Sequence, residues 1–460
     1  MGVPIEPRDE EAALEYVLET AKRYLHELDE APVLAAHGPR FEGSLPEDGE
    51  GAPAALAELV AGSDVATRSS GPRFFHFVTG GTTPAALGAD WLTSLFDQNS
   101  FSPASSPYGA QLEDVAIRWL LDLFELPASW SGVLTTGATT ANFVGLAAAR
   151  RWWAEQHGVD IDEQGFSRLP PVPVFSSDYI HASARKALAM LGLGRDGVRV
   201  VDVAALERAL AALDGAPAIV IGNAGDVNTG DFDPIARLAE VAEANGAWLH
   251  VDGAFGLFAR LTPTASALAA GIEHADSAIA DGHKWLNVPY DCGFAFVRDG
   301  SYLRPPFQLT AAYLPSDERP GPEASRRARA IAVWATLRAY GRSGYRDLVE
   351  RHLELAQRLS RRVDEEPELE RLAETKLNIV CFRVRPDGLD ENALDELNLA
   401  LGRDVLADGR VFVGTTRYDG KVAFRPAIVN WRTTERDVDL LVDVLLELLA
   451  AKRASRAPAG

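Results

Sequence analysis

Cysteine is nearly absent: the 460-residue chain has two, Cys292 and Cys381. They lie far apart in apolar, strand-like stretches. A disulfide framework is excluded, and two reduced, buried thiols are expected. Long hydrophobic runs are missing too. No stretch reaches the ~18 apolar residues of a membrane span, and the opening MGVPIEPRDEE lacks the basic-then-apolar layout of a signal peptide. A cytoplasmic location with no membrane partner is the expectation. Basic residues are scarce: 45 Lys and Arg against 66 Asp and Glu leave a net charge of −21. Such a surface repels nucleic acid and anionic lipid. Part of the acidic excess sits in the first 50 residues, which carry 13 Asp and Glu against 4 Lys and Arg. At 47% hydrophobic and 24% charged, the chain is neither disordered nor collagen-like.

Several familiar signatures are also lacking. There is no Walker loop, no H-E-x-x-H and no G-x-S-x-G. GLGRDG at 192–197 fits G-x-G-x-x-G but follows a helical pattern instead of a strand, so it reads as a glycine-rich helix C-terminus. His250 and Asp252 share a strand face, yet no third ligand accompanies them, so no metal is expected.

What is present is alternation. Strand-like segments occur at 131–137, 172–178, 198–201, 218–223, 248–253, 277–282 and 292–297, with helical patterns between several of them. This predicts an α/β fold with a mostly parallel, seven-stranded sheet covered on both faces. Long helices are expected over 322–340 and 345–364, followed by a small C-terminal α/β domain. A leading helix over 9–30 is tied on by a polar connection at 42–54, and the tail RASRAPAG reads as disordered. The expected organisation is an N-terminal helical arm (1–85), a large domain (86–340) and a small domain (341–460).

Three segments carry candidate chemistry. HVDGAFG (250–256) ends an apolar strand and puts Asp252 at the carboxyl edge of the sheet, where α/β proteins place ligands; an N-cap or ion-pair role is the plain alternative. ADGHKWLN (280–287) sets Lys284 in an apolar stretch, where burial favours a nucleophilic amine; otherwise it is an ordinary exposed lysine. SGVLTTGATTAN (131–142) runs from strand through a Gly/Thr turn into a helix. That turn is either a phosphate cup or a helix capped by Thr136, Thr139 or Thr140. A phosphate cup, an amine and a carboxylate together are what pyridoxal 5′-phosphate (PLP) requires.

With these motifs the sequence resembles the group II PLP-dependent decarboxylases, the family of aromatic-amino-acid and glutamate decarboxylases. The resemblance runs from FFHFVTGGTTPAALGADWL (74–92) to FRPAIVNWRTTERDVD (424–439). It is carried by HVDGAFG, the HKW triplet at 283–285, the 32-residue spacing from Asp252 to Lys284, and SSDYIHASARKA at 176–187.

The resemblance implies fold type I and a homodimer with shared active sites, the N-terminal arm packing on the partner and the large domain binding PLP. It implies that Lys284 forms the Schiff base, Asp252 partners the pyridine nitrogen, Ala254 touches the ring and His181 stacks on it and orients the substrate. Ala138, Thr139 and His283 are implied at the phosphate and Asn228 at the ring hydroxyl. Asp281 stands where some relatives have asparagine, and is expected to point away or to act through water or a protonated neighbour. Phe77, Thr79 and Phe101 match substrate-pocket positions, Phe101 reaching the partner's site; both phenylalanines read equally well as core. Many relatives follow the lysine domain with a long loop whose tyrosine returns a proton after CO₂ leaves. Here 313–329 is short and Tyr313, its only tyrosine, stands at its start.

Decarboxylation of an L-amino acid, by a PLP-dependent carboxy-lyase, is the expected activity. Aldehyde synthesis, transamination and carbon–carbon lysis share the site, and a catalytically silent PLP-binding dimer is the non-enzymatic alternative. The phenylalanines favour an aromatic or apolar substrate side chain, whereas Arg425 or Arg417 would favour an acidic one.

Overall fold

The structure is a computed structural model that describes residues 9–34, 44–309, 311–314 and 317–456. The last residues of the tail expected to be disordered lie outside them. Seven apolar segments form one sheet: β1 (Ser131–Thr135), β2 (Val174–Ser176), β3 (Val198–Val200), β4 (Ile219–Asn223), β5 (Trp248–Asp252), β6 (Ser277–Asp281) and β7 (Gly293–Val297). Their order is β1-β7-β6-β5-β4-β2-β3. Strand β7 runs antiparallel to both neighbours and every other pairing is parallel. All positions of β4, β5, β6 and β7 are buried. Covering on both faces explains why these strands read as continuous apolar runs. The carboxyl ends of β4, β5 and β6 therefore share one edge, with Asn223 opposite Asp252 in register.

The helix Ala138–Glu155 lies across β1, β5, β6 and β7. Its buried face includes Ala141, Asn142, Gly145, Ala148 and Ala149. Small residues let the helix axis approach the sheet closely. At Gly145 a Cβ would stand 2.6 Å from His250 Cε1, so nothing larger than hydrogen fits there. Burial holds the His250 imidazole neutral, its pKa pushed down to about 4.

By its internal contacts this sheet belongs to a unit of Val78–Gln357 plus Ala373–Ile379. The other unit takes in the described residues up to Phe77, Arg358–Leu372 and those from Val380 onward. Its own sheet, in the order β10-β11-β9-β8, comprises β8 (Leu369–Arg371), β9 (Phe382–Val384), β10 (Thr415–Tyr418) and β11 (Lys421–Phe424), all antiparallel. Phe74 stacks on Phe412 at 4.7 Å between centroids, and the Phe75 N–H donates to the Phe412 carbonyl. That ladder draws residues 73–75 into this unit. The units divide at 77/78 and 357/358 instead of 85/86 and 340/341. Ala330–Glu365 is two helices that meet at a kink at Gly341 (φ 61, ψ −174), where the helices expected over 322–340 and 345–364 part. The leading helix, Asp9–Glu27, has no buried residue.

The helix expected from 322 starts only at Ala330. Tertiary contacts claim the preceding stretch. The Arg326 guanidinium donates to the Ser100 carbonyl and to Glu113, its backbone N–H donates to Asn99 Oδ1, and Arg319 pairs with Asp114 at 2.6 Å. The glycine-rich stretch at 192–197 is a turn following the helix Ala182–Met190, as the pattern implied.

Two predictions test this packing. Gly145→Ala should lower the unfolding free energy by about 1–3 kcal/mol, the usual cost of overpacking a filled core, measured by denaturant titration. An unchanged midpoint and slope would contradict the close approach. His250 binds a proton more readily unfolded than folded, so its contribution is complete above pH 6.5 and fades as pH falls toward 4. That loss is on the order of 3 kcal/mol. His250→Gln should flatten this part of the stability–pH curve relative to the unmodified chain.

Candidate active site at the carboxyl edge of the sheet

Asp252 closes β5 and is 6% exposed. Asn142 Nδ2 donates to its Oδ2 at 2.8 Å, and the Ala254 N–H donates to its Oδ1 at 3.2 Å. Asn142 is itself wholly buried and its second Nδ2 hydrogen reaches Ser183 Oγ at 3.2 Å. On its other side, Asn142 Oδ1 lies 2.9 Å from His250 Nε2. His250 Nδ1 lies 2.8 Å from Ser277 Oγ, which accepts from Trp248 Nε1 at 2.9 Å.

Donor and acceptor roles along this chain run one way. Indole N–H only donates and a carboxylate only accepts. Ser277 therefore gives its proton to His250 Nδ1, and His250 Nε2–H donates to Asn142 Oδ1. The Asn142 amide is then left with both hydrogens for Asp252 and Ser183. His181 caps the helix Ala182–Met190, its Nδ1 accepting from the Ser183 N–H at 3.2 Å. Ser183 Oγ, 2.7 Å from the same Nδ1, donates to it as well. His181 Nδ1 is thus an acceptor on this side.

One strand over, Asp281 closes β6 and is 2% exposed. Its backbone N–H donates to the Ala254 carbonyl at 2.8 Å. Its Oδ1 accepts from the Ala138 N–H at 2.6 Å, at the start of the Ala138–Glu155 helix. Its Oδ2 lies 3.2 Å from Lys284 Nζ and 3.6 Å from His283 Nε2. Asp281 therefore does not point away from the glycine turn. It fills the electropositive helix N-terminus, the favourable place for a carboxylate, with Lys284 as its counter-ion. The Lys284 ammonium also faces the Phe255 ring at 5.6 Å. Burial lowers the His283 pKa, with Asp281 opposing that shift. Its ring stacks on Tyr290 at 4.3 Å, and Tyr290 OH meets Thr79 Oγ1 at 3.1 Å.

Lys284, Asp252, Ala254, Ala138, His283 and His181 are thus linked by hydrogen bonds and ion pairs within one region. Thr139 follows Ala138 in the first helical turn, where amide N–H groups have no intrahelical acceptor. Asn228 lies in the turn after β4, its N–H donating to Asp226. Phe101 is buried in its own chain, its carbonyl accepting from the Arg319 N–H. Phe77 is exposed and packs on His76 at 3.8 Å. Arg425 is buried, whereas Arg417 is exposed and paired with Asp395. Tyr313 is 86% exposed. Asn142, Ser183 and Ser277 escape sequence reasoning, because an amide or hydroxyl inside an apolar run carries no spacing signal.

The residues fit PLP. Gly137 (φ 151) brings the helix start against His283, where a Cβ would lie 3.0 Å from the ring. His283 Nδ1 is buried with no hydrogen-bond partner, a polar atom that an anionic group at this turn would satisfy. Lys284 supplies the amine, and Asp252 supplies an acceptor at the sheet edge.

Comparison with known proteins agrees. The family profile described as the pyridoxal-dependent decarboxylase conserved domain matches residues 57–385. The chain is 29% identical to an aromatic-L-amino-acid decarboxylase of Bacillus atrophaeus, over 80% of this chain and 79% of that protein. It is 26% identical to a phenylacetaldehyde synthase of Arabidopsis thaliana, over 95% and 96%. A crystal structure of Oryza sativa TDC with PLP and tryptamine superposes with a TM-score of 0.88 at 24% identity, covering 97% of this chain and all of that one. With the profile spanning more than half its length, the chain belongs to the pyridoxal-dependent decarboxylase family.

Proposed function

We propose that the chain removes the carboxylate of an L-amino acid as CO₂ and releases the amine, using PLP. The observation that carries this is the buried Asp252 carboxylate at the sheet edge, one strand from the turn that bears Lys284 and its anion-binding helix start. When bound, PLP supplies an electron sink for the pair left behind as CO₂ departs.

The protein's own groups do the rest. Lys284 Nζ would be the amine that holds the cofactor, and Asp281, 3.2 Å away, keeps it beside the helix start. Asp252 would accept at the ring nitrogen, with His181 and Ala254 beside the ring. His283 and the amides of Thr139 and, once released by Asp281, Ala138 would hold the phosphate, and Asn228 would meet the ring hydroxyl. Thr79, bonded to Tyr290 beside His283, would line the substrate side of the site.

A second reading is oxidative aldehyde formation. It is favoured by the fully surface-exposed position of Tyr313, the only tyrosine of 313–329, and by the phenylacetaldehyde synthase among the relatives. Transamination and carbon–carbon lysis need the same lysine and carboxylate. Assembly as a homodimer is part of the proposal. The helix Pro84–Phe96 exposes Trp91, Leu92, Leu95 and Phe96 together, an apolar face that a second copy would cover. Among the described residues no helix is long and apolar enough to cross a membrane, and two buried free thiols suit a reducing cytoplasm.

Incubation with a panel of L-amino acids should yield amine and CO₂ in equal amounts. Aldehyde with hydrogen peroxide would favour the second reading, and keto acid would favour transamination. Lys284→Ala should abolish both turnover and the visible absorption band of the bound cofactor; survival of that band would remove Lys284 from its assigned role. Light scattering in solution should give twice the 49.6 kDa chain mass.

A further inference from the structure

Asn142 belongs to none of the motifs that mark the site, yet one buried amide touches both of its cofactor-facing branches. Through one Nδ2 hydrogen it meets Asp252, and through the other it meets Ser183, which bonds His181. Its orientation is not free. Flipping the amide would set Oδ1 against the Asp252 carboxylate, acceptor against acceptor, and would turn Nδ2 toward His250 Nε2–H, donor against donor. The His250 ring has no room to move away: Gly145 lies against its Cε1, and Ser277, anchored by Trp248, holds its Nδ1.

We propose that Asn142 is a positioning residue that aims the Asp252 carboxylate and, by donating to Ser183 Oγ, directs the Ser183 hydroxyl hydrogen to His181 Nδ1. This rests on the PLP-binding reading of the site. One rigid amide thereby sets the acceptor offered at the ring nitrogen. Without it, Asp252 keeps only the Ala254 N–H of these two bonds, while His181 Nδ1 still accepts from the Ser183 N–H. Leaving a buried acceptor short of one donor costs about tenfold or more in an equilibrium that needs that acceptor.

The test uses the full chain freed of cofactor, with PLP itself as the probe. Ring-nitrogen NMR of labelled histidine, assigned with His181→Gln, should show His181 unprotonated at Nδ1 and protonated at Nε2 in the unmodified protein. A His181 ring protonated at Nδ1 overturns the proposal without any variant having to fold. Asn142→Leu keeps volume and removes the amide, and Asn142→Asp keeps shape and removes the donors. In each variant that folds, the Kd for PLP should rise at least about tenfold, while the His181 ring stays unprotonated at Nδ1, held by the Ser183 N–H. A folded variant with Kd within about twofold of the parent would overturn it. If the unmodified chain bound no PLP, the cofactor reading would fail, while the tautomer result would still judge the hydrogen-bond chain separately.

Discussion

A carboxylate taken out of water is tolerated only where donors replace its lost hydration, and Asp252 imposes that demand at the end of β5. Meeting it requires a donor from outside the strand, which Asn142 supplies. Holding Asn142 in the useful orientation requires an N–H on its far side, which His250 supplies from Nε2, while its neutral form leaves Nδ1 as the acceptor for Ser277. Keeping that imidazole neutral requires burial, and burying it requires a helix close enough to cover it, hence Gly145 and its alanine neighbours. The packing of the Ala138–Glu155 helix on the sheet and the chemistry at the sheet edge thus answer one constraint.

The same helix serves the site at its other end. Its N-terminus has amides without intrahelical partners and the positive end of the helix dipole, and Asp281 sits on it. A carboxylate there and a phosphate there are rivals for one electropositive point. Asp281 also holds Lys284, so a phosphate that took over the Ala138 amide would alter the partner of the amine as well. Charge at the helix start and availability of the lysine are therefore coupled through one side chain.

Much of this was legible in the sequence, and the reasons are local. Strands β4 to β7 showed as short apolar runs, because burial on both faces leaves no room for polar alternation. Asp252 and Lys284 stood out as charges at the ends of such runs. The N-terminal boundary of the compact units did not stand out, because it depends on the ladder between residues 73–75 and Phe412, which has no composition signal. The helix expected from 322 failed for a similar reason: Arg319 and Arg326 spend their side chains on Asp114, Glu113 and the Ser100 carbonyl instead of on a helix surface. Asn142, Ser183 and Ser277 were invisible because their significance lies in partners 41 to 110 residues distant or on a neighbouring strand. The sequence offered His250 only as a possible metal partner of Asp252, set aside for want of a third ligand, and gave no sign that both its ring nitrogens have hydrogen-bond partners.

The central claim is that one region, spanning Asp252, Asp281, Lys284 and the start of the Ala138–Glu155 helix, is built to hold PLP. A crystal structure of the full chain grown with PLP tests it most directly. The account predicts continuous density joining Lys284 Nζ to the cofactor, the ring nitrogen within hydrogen-bond distance of Asp252, and the phosphate on the amides of Ala138 and Thr139 with Asp281 displaced from the Ala138 N–H. A cofactor bound elsewhere, or one lying here with its ring nitrogen away from Asp252, would contradict it.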